Sequence, residues 1–191
     1  MFSHIMLDLE TLDTGPRSVV TSIGAVAFDP HVSGPAGLGD KFYVELTDDL
    51  ITQQRMGRTI SGETVVWWMR QGQAAQQLFT PNTDGNVRVR DMTENALNRF
   101  AEFIEANGAR DVQLWGNGAD FDNIILGSLY EDLGMKKPWS YSRNRCFRTM
   151  KNLPGAGHFP RQGTHHNALD DAFTQAQHLQ AIYQRLYPSK D

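Results

Sequence analysis

The segment His4-Ile5-Met6-Leu7-Asp8-Leu9-Glu10 constrains the fold more than any other stretch of the chain. Its alternation puts Ile5, Leu7 and Leu9 on one face of a strand and Met6, Asp8 and Glu10 on the other. Such a pattern suits a central strand rather than an acidic rim, and an interior strand needs a reason to carry two charges side by side. Two more β-rich segments follow, "VVTSIGAVAF" over 19–28 and "KFYVEL" over 41–46, separated by turns bearing Gly and Pro. Three in succession predict an antiparallel meander. Ser61 is placed to cap a helix running through "GETVVWWMRQGQAAQQLF" (62–79), and residues 80–92 read as a loop. Thr93 is placed to cap the next helix, with Leu97, Phe100, Ala101 and Ile104 on one face and a stop at Asn107-Gly108. "VQLWG" (112–116) predicts a short buried strand, and Ile125, Leu129 and Leu133 a helix ending at Gly134. Residues 136–161 read as irregular around one short element at "RCFRTM", before a last helix from about Asn167 to Tyr187-Pro188. This order predicts an α/β protein, a mixed sheet with helices packed on it, in a single domain over 1–191.

Composition narrows the setting. The 191 residues are 40% hydrophobic and 21% charged, as in a soluble globular chain, and no apolar run reaches membrane-spanning length. Acids in "MFSHIMLDLE" interrupt the apolar segment that a secretory signal needs. Cys146 is the only cysteine, which excludes an internal disulfide and a cysteine zinc cage and suits a reducing, cytoplasmic setting. The net charge of −4 argues against a general nucleic-acid coat protein. Its distribution is uneven. Lys136, Lys137, Arg143, Arg145, Arg148, Lys151 and Arg161 fall in one stretch without an acid. That stretch is either a solvated basic face or a surface for phosphates.

Carboxylates recur at two further places. In "WGNGADFDNIIL" (115–126), Asp120 or Asp122 reads equally as a helix cap and as a ligand group at the end of a strand. In "THHNALDDAF" (164–173), Asn167 as N-cap makes Asp170 the N3 residue of a capping-box relative. At roughly 100° per residue the buried stripe runs through Ala172, Ala176, Leu179, Tyr183 and Leu186. Asp170 then faces water, while Asp171 lies at the margin of the stripe, where it can point into a groove with His166 at its mouth. His165 sits one residue further out, its direction unconstrained.

These residues resemble the three motifs of the DEDDh (DnaQ-like) 3′→5′ exonucleases of the ribonuclease H-like superfamily. "DLET" holds Asp8 and Glu10, "NGADFD" ends in Asp122, and His166-Asn167-Ala168-Leu169-Asp170-Asp171 satisfies H-x-A-x-x-D, which His165 does not. "TVVWWMRQ" (64–71) resembles the small branch of phage T4-type exonuclease A and RNase AS-like exoribonucleases; adjacent helix positions diverge, so at most one of Trp67 and Trp68 faces a nucleotide. Two departures stand out: Leu12 and Asp13 replace the Thr and Gly that follow D-x-E-T in the common pattern, and Asn117 lies one residue further from Asp122.

The resemblance implies a ribonuclease H-like mixed sheet, three antiparallel N-terminal strands followed by parallel ones, flanked by helices. It implies a 3′→5′ exonuclease acting on single-stranded or 3′-overhanging DNA or RNA and releasing nucleoside 5′-monophosphates. Asp8, Glu10, Asp122 and Asp171 would hold two divalent cations, Mg²⁺ or Mn²⁺, and His166 would be the general base. Thr11 and Leu12 become candidates for the terminal nucleotide, Phe121 for stacking under a base or for the core, and Arg143, Arg145 and Arg148 for the phosphate backbone. A homodimer is in keeping with such relatives. The alternatives are an exoribonuclease restricted to RNA 3′ ends or short oligoribonucleotides, and a non-catalytic binding module, against which the intact five-residue set argues. The adjacent His-Asp pair of many metal phosphohydrolases is absent.

Overall fold

A computed structural model describes residues 2–80, 89–107 and 111–188. Its strands are β1 (His4–Thr11), β2 (Val20–Phe28), β3 (Leu38–Glu45), β4 (Gln113–Gly116) and β5 (Asn144–Cys146). Its helices are α1 (Leu50–Arg55), α2 (Gly62–Met69), α3 (Gln73–Gln76), α4 (Thr93–Ala106), α5 (Asp122–Asp132), α6 (Phe147–Lys151) and α7 (Ala168–Leu186). The five strands lie in the order β3-β2-β1-β4-β5. β1 to β3 pair antiparallel, whereas β4 runs parallel to β1, and β5 to β4. The α/β mixed sheet expected from the sequence is therefore present, with β1 at its centre. Among the described residues no helix is long and apolar enough to cross a membrane.

The two faces of β1 feed two cores. Ile5, Leu7 and Leu9 pack with Leu97, Phe100 and Ile104 of α4 and Ile125, Leu126 and Leu129 of α5. Met6 on the other face joins Val26, Phe28 and the α7 residues Ala172, Ala176, Leu179 and Ile182. Burying apolar residues on both faces of β1 fixes its register, since a one-residue slip would exchange the two sets. A register shift between Glu10 and Thr11 marks the end of regular pairing with β2, beside the two acids.

Gly24 lets the start of α7 reach the sheet. It pairs with Asp8 across β1 and β2, and a Cβ there would lie 2.2 Å from the carbonyl carbon of Ala168. Gly24→Ala is accordingly expected to cost about 1–3 kcal/mol through overpacking and to push Asp171 away from Asp8, which denaturant unfolding together with a metal titration will show.

Local expectations failed where tertiary contacts intervene. The helix expected over 62–79 stops at Met69, and the chain turns through an extended Gly72 into α3 and a 3-10 turn, Gln77–Phe79. The Gln76 side chain donates to the carbonyls of Met69 and Gln71, supplying partners at the break. Thr93 is the first helical residue of α4 rather than its cap, and its N–H and hydroxyl both donate to Asp49 Oδ2, at 2.8 and 2.5 Å. Helix α1, at the start of a stretch left without an element, follows directly on Asp49. Of the expected loop 80–92, residues 81–88 lie outside the described residues, as does the Gly108 of the expected helix stop.

Candidate active site

Because β1 and β4 run parallel, their C-terminal ends open on the same edge of the sheet, where α5 and α7 both begin. Asp8 and Glu10 leave β1 on the α7 side, and both are largely buried. Asp122 is the first residue of α5, yet its carboxylate does not cap that helix. Its Oδ1 accepts the Leu9 N–H at 3.1 Å and its Oδ2 the Asn117 N–H at 2.6 Å, tying the β4–α5 turn to β1. Asn167 caps α7, accepting from the N–H groups of Leu169 and Asp170 at 3.1 Å each. Asp170 accepts the Thr164 N–H at 2.7 Å and so holds the approach loop, while Asp171 turns inward and is buried.

His166 has φ of 62°, a left-handed backbone uncommon outside glycine. This conformation directs its N–H to Asp171 Oδ2 at 3.3 Å and its ring to Trp67, 4.7 Å between centroids. Of the paired tryptophans, Trp68 is buried and donates from Nε1 to the Thr11 carbonyl at 2.9 Å, whereas Trp67 is 43% exposed. His165 is exposed and stacks edge-on against His166.

Donor atoms of Glu10, His166 and Asp171 all lie within 4.8 Å of one another. Asp8 and Asp122 stand outside that set of three but close enough to act on its charges. Burial, then Asp122, Glu10 and Asp171, push the Asp8 carboxyl well above its ordinary range. Burial, followed by Asp171 and Asp122, pushes Glu10 up to about 8. Asp122 is raised to about 6 by burial against the opposing pull of its backbone hydrogen bonds. Acids held together at this cost are relieved either by keeping a proton or by a cation between them. Gln175 Oε1 and Asn117 Oδ1 add buried oxygens without partners. A set of carboxylate and amide oxygens beside one imidazole suits a hard divalent metal, and the residues present fit one.

A cleft of about 410 Å³ opens beside the acids, lined by Glu10, Thr11, Thr64, Trp67 and Phe121 among others. Thr11 and Phe121 line this cleft with Glu10, and Phe121 also packs against the core. Leu12 does not line this cleft; it packs with Val19, Trp68, Ala75 and Leu78. Arg143 pairs with Asp111, before the start of β4, and Arg145 folds back onto the carbonyls of Ser142 and Asn144. Both are therefore held toward the opposite end of the sheet. Arg148 alone of the three approaches the acids, where its charge favours ionised Asp122.

Two neighbours of the site were not singled out by their surroundings in the sequence. Gln175 Nε2 donates to Asp8 Oδ1 at 2.7 Å, and Arg161 forks onto Asp171, Nε to Oδ1 at 3.0 Å and Nη2 to Oδ2 at 2.9 Å. Gln175 was signalled only by following Asp171 by four residues on one helix, and Arg161 only by its place in the basic stretch.

Residues 3–183 match the model of the 3′-5′ exoribonuclease Rv2179c-like domain. The chain belongs to this family. An exodeoxyribonuclease of Enterobacteria phage T4 is 27% identical over 145 residues, covering 70% of this chain and 57% of that protein. The chain thus spans just over half the length of that curated relative. Among solved structures, the nuclease domain of 3′hExo, a DEDDh family member bound to rAMP, superposes with a TM-score of 0.60 at 13% identity, covering 95% of this chain and 91% of that one. E. coli exonuclease I in complex with a dA16 oligonucleotide gives 0.61 at 12% identity, over 97% of this chain and 41% of that one. At such identities these two likenesses speak for the fold, and the Rv2179c-like assignment rests on the family model.

Proposed function

We propose that this Rv2179c-like chain is a metal-dependent 3′→5′ exonuclease that removes nucleoside 5′-monophosphates from a free 3′ end. The observation that carries the reading is the convergence of Glu10, His166 and Asp171 within 4.8 Å, with Asp8 and Asp122 beside them and an aromatic-walled cleft adjoining. Two divalent cations, Mg²⁺ or Mn²⁺, would be held by Asp8, Glu10, Asp122 and Asp171, and would supply activation of water and stabilisation of the leaving oxygen.

The chain's own residues then divide the remaining work. Thr11, Trp67 and Phe121 receive the terminal nucleotide in the cleft. Burial and the neighbouring His165 lower the proton affinity of His166, so its imidazole is neutral near pH 7 and free to take the proton of the attacking water. The new bond forms from water oxygen to phosphorus, and the bond from phosphorus to the 3′ oxygen of the shortened strand breaks. Gln175 holds Asp8, and the Asn167 cap fixes the helix start that carries Asp171.

The family description favours RNA and the phage relative bears a DNA name, so the sugar preference is put to experiment. Single-stranded RNA, single-stranded DNA and 3′-recessed duplex are to be digested side by side in Mg²⁺ and in Mn²⁺. Stepwise release of 5′-monophosphates, abolished by chelator, is expected. Internal cleavage, or activity that survives chelation, would refute the reading. Sedimentation of the same preparation tests the proposed homodimer. The cytoplasmic setting is proposed on the single Cys146.

A further inference from the structure

Beyond the acids, on the side away from Trp67, lies a second cavity of about 690 Å³, whose wall includes Asn117, Lys151, Arg161, Asp171 and Gln175. That volume is in the range of small-ligand sites. Its wall carries the cations Lys151 and Arg161 as well as Asp171, and Arg148 stands near Lys151. A cavity rimmed by cations and opening onto a nuclease centre calls for phosphates.

Arg161 belongs to both places. Its guanidinium grips both oxygens of Asp171, whose side chain is 5% exposed, while the arginine itself is 46% exposed. With the His166 N–H also on Oδ2, three of about four lone-pair positions of that carboxylate are taken. A divalent cation shared with Glu10 would need the same oxygens, and it would repel the guanidinium at close range. The backbone next to Arg161 is pinned, since Thr174 Oγ1 accepts from the Gln162 N–H and donates to its carbonyl, each at 3.2 Å. The backbone beside it is thus held by two hydrogen bonds, while the guanidinium lies at the surface.

Resting on the nuclease reading above, we propose that Arg161 is an exchangeable counter-cation. It neutralises Asp171 until a divalent ion displaces it, then turns into the adjoining cavity and, with Lys151, binds a phosphate of the strand being degraded. An arginine fork suits both partners, because carboxylate and phosphate present similar pairs of oxygens. Coupling the two positions would make strand binding tightest when the cation is in place.

The test measures the two halves separately on the full chain. Mn²⁺ is titrated calorimetrically into nucleic-acid-free wild type, Arg161→Ala and Asp171→Asn. A phosphorothioate-terminated oligonucleotide is then titrated into the Mn²⁺-saturated proteins, using single-stranded RNA or DNA as the digest dictates. Arg161→Ala should bind Mn²⁺ several-fold more tightly and the oligonucleotide roughly tenfold more weakly, with Lys151→Ala weakening the oligonucleotide alone. Either an unchanged Mn²⁺ affinity or an unchanged oligonucleotide affinity in Arg161→Ala overturns the proposal. The Asp171→Asn arm separates its failure from that of the nuclease reading: Mn²⁺ binding retained at wild-type strength there would remove Asp171 from the metal site and defeat both.

Discussion

Asp8→Asn is expected to lower nuclease turnover by on the order of 10³-fold or more while raising the melting temperature of the chelator-treated protein. Both effects come from the same carboxylate. Asp8 is buried on the central strand, and Asp122, Glu10 and Asp171 all oppose its ionisation. Asparagine has nearly the same shape and keeps an oxygen for the Gln175 amide, which now donates to Asp8 Oδ1. The fold therefore loses little contact and no longer has to protonate, or bury as a charge, a carboxylate whose ionisation three neighbouring acids oppose. What the substitution removes is the carboxylate proposed to hold metal beside Glu10 and Asp171. A matching His166→Ala variant is expected to lose less, about 10²-fold, because it removes a proton acceptor and leaves the four acids in place. Initial rates on one oligonucleotide, with thermal melts followed by circular dichroism, measure both quantities. Turnover of Asp8→Asn within tenfold of wild type would remove Asp8 from the chemistry.

Helical periodicity alone separates Asp171 from Asp170: only Asp171 sits at the edge of the apolar stripe of α7, and it is the one that is buried. Strand alternation did the same for Asp8 and Glu10, since Met6 on their face had to meet a core. Such inferences work because a regular element fixes where each side chain points. They fail where the partner comes from elsewhere in the chain. Asp49, 44 positions away, bonds the first helical residue of α4, and no local pattern announces that. The three arginines at 143, 145 and 148 looked equivalent as charges. Strand β5 divides them, so that Arg143 reaches Asp111 at the start of the parallel strands and Arg148 follows their ends. Arg161 was visible as a charge but not as a neighbour of Asp171, because the irregular segment before α7 carries no periodicity from which a direction could be read.

In chelator, the melting temperature is expected to fall by roughly 6–12 °C between about pH 6.5 and pH 8.5, and saturating Mn²⁺ should cancel the fall. The sign follows from proton counts. Unfolded carboxylates titrate near pH 4, whereas in the folded protein Glu10 titrates at about 8 and Asp8 is displaced upward with it. Between those limits the folded chain holds protons that the unfolded chain has released, so rising pH favours unfolding. Each pH unit over which one extra proton is retained amounts to about 1.4 kcal/mol, and two units give on the order of 3 kcal/mol. Histidines work the other way. His4, lowered to about 4, and His166 and His178, lowered by burial, bind fewer protons folded than unfolded and so add stability as pH rises toward 6.5. Above that pH their contribution is complete, which leaves the acids to set the slope. A divalent cation binds the ionised carboxylates, so its stabilisation must grow with pH, opposing the chelated trend. Asp8→Asn, having one titrating acid fewer, should flatten the chelated slope. A chelated melting temperature that held level or rose from pH 6.5 to 8.5 would mean that the four acids are not jointly buried, and that the charge repulsion a metal would relieve does not exist.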